Sequence, residues 1–76
     1  GDVYKRQAYY YGIILREYTE TSHVPNALYY LGKSMEKLAE TEKQKVLWNE
    51  LIKNHPKSPL AKRAKKRLSS SGPISD

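Results

Sequence analysis

Cysteine is absent from the 76 residues, which removes both a disulfide framework and a thiolate metal site and leaves the redox compartment unread. Long apolar runs are absent too: no stretch approaches the roughly 18 residues a membrane span needs. No segment alternates apolar and polar residues as a half-buried strand does, so no strands are expected. Glycine is scarce, and Gly12 and Gly32 stand alone within helical patterns. Neither belongs to a phosphate-cradling loop or to the elbow that presents a nucleophilic serine. The two histidines, His23 and His55, fall in expected turns with the acids scattered along helices. A metal site needs converging ligands, so no metal, cofactor or catalytic residue is expected, and the chain reads as a non-enzyme.

What is present is a helical pattern. Leu28, Leu31 and Met35 recur at helical spacing, and Gly32 beside Leu31 lets a neighbouring helix come close. A second stripe, Leu47, Trp48, Leu51 and Ile52, is closed by Pro56, which cannot continue a helix. Two short amphipathic helices cannot bury both stripes alone, so further copies are expected to stack on them. The sequence supplies one. A shift of 37 residues superposes Tyr9 on Val46, Tyr10 on Leu47, Tyr11 on Trp48, Ile14 on Leu51 and Leu15 on Ile52. Arg16 then falls on Lys53, Tyr18 on His55, Ala27 on Ala64 and Leu31 on Leu68.

This pattern resembles the tetratricopeptide repeat, with Leu31-Gly32 at its first-helix Leu-Gly pair and Pro56 at the proline ending its second helix. The segment NHPKSPLAKRAKKRL, residues 54–68, looks like the turn phrase of bacterial envelope repeat proteins. The resemblance covers roughly Ala8 to Leu68. It is closest to the C-terminal repeats of the Tol-Pal-associated periplasmic cell-division coordinators, then to the repeat lipoproteins of the outer-membrane barrel-assembly machine. It implies an all-α architecture of helical hairpins, a fragment of an α-solenoid, with a periplasmic setting and a role in protein binding. Gln44 stands where the repeat has a small alanine, Ala39 at the usual inter-helix glycine, and Thr19 in place of the first terminating proline. Lys45 adds a charge nearby. These departures bear on how closely the helices pack around residues 39–45.

About four helices are expected, near residues 3–18, 25–39, 42–54 and 59–69. Pro25 suits a first helical turn, Thr41 suits an N-cap, and Ser58-Pro59 reads as a cap followed by a helix-starting proline. Residues 1–7 resemble a translated adapter and are expected to be a non-native leader. The repeat segment spans 8–68, and residues 69–76 are expected to form a disordered tail. Tyr9, Tyr10, Tyr11 and Tyr18 are expected to serve core packing on a helix whose partner lies upstream. Without that partner the chain is expected to self-associate.

Charge is concentrated at one end. Lys57, Lys62, Arg63, Lys65, Lys66 and Arg67 have no acid among them, and the other eight basic residues equal the eight acids, so this run carries the net charge of +6. A solvated capping helix is the expected reading; a basic nucleic-acid-binding module is the rival, weakened because residues 57–68 hold no aromatic ring for stacking. By match to the groove-lining positions of the repeat, a peptide or protein partner, an envelope protein rather than nucleic acid, is expected on the face holding Asn26, Tyr29, Lys33, Glu36 and Lys37. Leu28, Leu31, Gly32, Met35, Trp48, Leu51 and Pro56 are the expected repeat-defining core, with Trp48 packed on Leu28, Leu31 and Met35.

Overall fold

The computed structural model of the chain describes residues 1–20 and 22–70. Four helices account for most of them: α1 (Asp2–Glu17), α2 (His23–Lys37), α3 (Thr41–Asn54) and α4 (Pro59–Ser70). The links between them are short, so consecutive helices fold back on one another as hairpins. The chain is all-helical, and no described helix is long and apolar enough to cross a membrane. Residues 2–7 form the first turns of α1, and Ser69 and Ser70 extend α4; the remainder of the expected tail lies outside the described residues.

Local chemistry sets the helix ends. After α2 the N–H of Ala39 donates to Glu36 O at 3.0 Å and that of Glu40 to Met35 O at 2.8 Å, the paired bonds of a Schellman ending. Such an ending needs a left-handed residue, and Ala39 supplies it at φ 62°, a conformation that glycine adopts more readily. Before α4, Leu60 N–H donates to Ser58 Oγ at 3.1 Å, a side-chain cap with Pro59 at the first helical position. Two start points differ from expectation. α2 begins at His23, ahead of Pro25, because the whole first turn tolerates a missing N–H. Thr41 is the first residue of α3; its cap is Glu40, which makes no side-chain capping bond.

α2 is the hub: it packs on α1, α3 and α4, while among the described residues α1 packs on α2 alone. The thinnest dimension is 15 Å, the span of two helix layers about 10 Å apart with a Cα radius of about 2.3 Å each. The core comprises Ala27, Leu28, Tyr29, Trp48, Leu51, Ala61 and Ala64, all buried. Trp48 sits at its centre, fully buried. Of its expected partners, Leu28 shares this core cluster, while Leu31 and Met35 do not. The indole lies parallel to the Tyr29 ring, 4° between planes and 5.1 Å between centroids, and its Nε1–H donates to Tyr29 O at 3.1 Å. Leu31 and Met35 point elsewhere, half-buried.

The 37-residue offset recurs in space. Tyr18 and His55 end their helices with nearly the same backbone, φ −126°, ψ 53° and φ −134°, ψ 54°. Each returns its N–H to an equivalent carbonyl, Ile14 O at 2.8 Å and Leu51 O at 2.9 Å. Tyr11 stacks on Tyr30 with centroids 5.8 Å apart. Their counterparts 37 residues on, Trp48 and Arg67, also meet, the guanidinium carbon 5.5 Å from the indole centroid.

Candidate interaction surfaces

Gly32 governs the α2–α3 contact. A Cβ there would stand 2.5 Å from Cδ1 of Trp48 and 3.1 Å from Cε2, with Nε1 nearer still. Only a residue without a side chain lets α2 approach the indole so closely. The resulting Tyr29–Trp48 stack is closed by α4. Arg63 lies with its guanidinium carbon 5.8 Å from the Tyr29 centroid. Arg67 lies over Trp48 and donates from Nη2 to Glu36 Oε2 at 2.6 Å. These two arginines are four residues apart, so one helix face delivers both to the aromatic pair. Contacts of this kind contribute about 0.5–1 kcal/mol each where solvent reaches them.

The face expected to bind a partner is only partly open. Asn26 and Lys37 are exposed and Lys33 is half-buried. Glu36, also half-buried, is engaged by Arg67. Tyr29 corrects the expectation: it is 3% exposed, turned into the core because the gap above Gly32 admits the indole it stacks on. Of the expected repeat core, Leu28, Gly32, Trp48 and Leu51 are buried, Leu31 and Met35 are half-buried, and Pro56 lies exposed in the α3–α4 turn. Gln44 is itself buried.

Two apolar surfaces remain. Leu31 and Met35 of α2 join Val46 and Leu47 of α3 along a groove of about 470 Å³, rimmed by Glu42 and Lys43. On α1 the tyrosines expected in a core face outward: Tyr9 is 73% exposed and Tyr10 59%, with Tyr18 half open to solvent. α1 has α2 on one flank, which covers Tyr11, Ile14 and Leu15 in part and leaves the rest. Tyr10, Ile13 and Ile14 line a cleft of about 410 Å³ beside Tyr18 and His23.

On α4, Lys62, Arg63, Lys65 and Lys66 are exposed, as is Lys57 before it, and Arg67 is half-buried. His23 and His55 lie apart, His23 edge-on to Tyr18 and His55 beside Leu15, Val24 and Glu50. Comparison of the chain with protein-family models, with curated proteins and with solved structures finds no match in any of the three.

Proposed function

We propose that the chain is a segment of a tetratricopeptide-like α-solenoid serving as a protein-interaction scaffold without catalysis of its own. One observation carries this reading. Contacts made by α1 on α2 recur 37 residues on between α3 and α4: Tyr11 on Tyr30, then Trp48 on Arg67, with matching helix ends at Tyr18 and His55. Repetition of a helix pair at fixed spacing is the mark of a stacked array. Such an array presents surface rather than chemistry.

The sequence resemblance carries the reading further, to the periplasm and to Tol-Pal-associated cell-division coordination. The barrel-assembly repeat lipoproteins are the alternative within the same class. The partner is an extended or helical peptide of an envelope protein, held along α2 by Asn26, Lys33 and Lys37. Buried Tyr29 has no direct part in it.

The test is a titration of the chain with the periplasmic domains of the Tol-Pal machinery, and in parallel with single- and double-stranded oligonucleotides at two salt concentrations. Asn26→Ala with Lys33→Ala and Lys37→Ala is expected to abolish protein binding and leave the helical signal intact. Lys62→Glu with Lys65→Glu and Lys66→Glu is expected to alter chiefly the on-rate and salt dependence. Oligonucleotide binding that falls steeply with salt, and vanishes in the lysine variant, establishes the basic-module reading instead.

A further inference from the structure

We infer that the cavity at the start of α3 is a binding site for a single carboxylate group. The cavity measures about 230 Å³. Thr41, Gln44 and Lys45 line it from the first turns of α3, Glu36 from α2 and Arg67 from α4, with Trp48 as apolar wall.

Gln44 is the residue that demands a ligand. It is only 7% exposed, yet its side-chain amide has no hydrogen-bond partner among the described residues. Buried polar side chains are nearly always partnered, so an amide held at a cavity wall is placed to serve something inside it.

Two further features give that ligand its sign. α3 starts here without a side-chain cap, so its first N–H groups and the positive end of its dipole are available to an acceptor. The lining also carries one surplus positive charge. Arg67 is matched by Glu36 at 2.6 Å, which leaves the Lys45 ammonium as the unmatched group. A surplus of one suits a monoanion, and the Glu36 carboxylate nearby disfavours a phosphate dianion. A carboxylate therefore takes Gln44 Nε2–H and the Thr41 hydroxyl as donors and Lys45 as counter-ion. The group belongs to a small free acid or to the acidic side chain of a peptide; the donors are the same for both. None of this depends on the scaffold reading.

The experiment uses the full chain, labelled with ¹⁵N, titrated with sodium acetate and with acetyl-glutamyl-amide. Sodium chloride and sodium phosphate at matched ionic strength are the controls. The Gln44 side-chain NH₂ resonances and the fluorescence of Trp48 are read. Saturable movement of the Gln44 signals with both carboxylates, absent with chloride, is expected. Lys45→Met, at an exposed position, weakens it about tenfold, the loss of one charge-assisted contact. Gln44→Glu, which places a carboxylate in the cavity at unchanged size, abolishes it; Gln44→Met serves if that variant does not fold. Tighter binding of the glutamyl probe assigns the site to a peptide, and equal binding assigns it to small acids. Linear, unsaturating shifts, phosphate binding tighter than acetate, or full affinity in Gln44→Met overturns the inference.

Discussion

Gly32 and Gly12 form a matched pair of perturbations, because both are glycines within helices and their surroundings are opposite. Replacing a helical glycine by alanine gains about 1 kcal/mol of helix propensity when nothing intrudes. At Gly12 a Cβ meets nothing within 4 Å, so Gly12→Ala is expected to stabilise by about that amount. At Gly32 the same Cβ enters the indole of Trp48, 2.5 Å from Cδ1. The ring cannot yield cheaply. It is fully buried, stacked on Tyr29 and anchored by its Nε1–H on Tyr29 O. Moving it forfeits a hydrogen bond of about 1 kcal/mol, and overpacking adds about 1–3 kcal/mol. Against the propensity gain, Gly32→Ala is expected to destabilise by about 1–3 kcal/mol. In a domain of this size each kcal/mol lowers the melting point by about 4–8 °C. Urea and thermal unfolding read both variants, with Trp48, the sole tryptophan, as an internal fluorophore. Gly32→Ala as stable as the parent would refute the close approach of α2 to the indole.

Other consequences are open to the same measurements. Ala39→Gly relieves a left-handed alanine and is expected to stabilise by about 0.5–1 kcal/mol, less than the full cost of that conformation because glycine loses more freedom on folding. Arg67→Lys keeps the charge but loses the planar group over Trp48, with an expected loss of about 0.5–1 kcal/mol in chemical denaturation; Lys65→Gln, exposed, should stay within about 0.5 kcal/mol of the parent. The open tyrosines of α1 are expected to drive concentration-dependent association in light scattering, and Tyr9→Lys with Tyr10→Glu is expected to suppress it; a monodisperse parent would contradict this.

Helix existence was legible from the punctuation of the α3–α4 junction, Pro56 after α3 and Ser58 and Pro59 before α4, and from the apolar spacing of Leu28 and Leu31 and of Trp48, Leu51 and Ile52. The importance of Gly32 and of Trp48 was legible for the same reason, since an isolated glycine in a helix signals a close neighbour. The direction of Tyr29 was not. Spacing places Tyr29 one residue from Leu28, about 100° around the helix, and either flank could have faced α3. The choice was made by the missing side chain at Gly32: a gap beside Tyr29 draws the indole in, and the flat stack follows. Nor could the sequence separate the arginines of α4 from its lysines. Its five basic residues, with Lys57 before them, read as one run, whereas the structure sets Arg63 and Arg67 over rings.

That division changes what the basic helix can offer a partner. α4 fully buries only small apolar residues, Ala61 and Ala64, and packs Leu60 and Leu68 against the core in part. The two arginines compensate by covering the faces of Tyr29 and Trp48 with their planar groups, and Arg67 takes Glu36 with it. In the first helix pair the same position, Tyr30, meets Tyr11 ring to ring. The exchange of a tyrosine for an arginine keeps a flat group on the aromatic face while giving α4 an outer edge that water can solvate. A helix docked in this way depends on charge as well as on burial, so salt weakens Arg67 on Glu36 while sparing the Tyr29–Trp48 stack beneath. The positive charge left for a partner at this end is then that of Arg63, which stacking does not neutralise, and of Lys57, Lys62, Lys65 and Lys66, all exposed. Of these, Lys62, Lys65 and Lys66 project from a helix whose arginines are already engaged, so a partner drawn to the lysines meets α4 from its outer side.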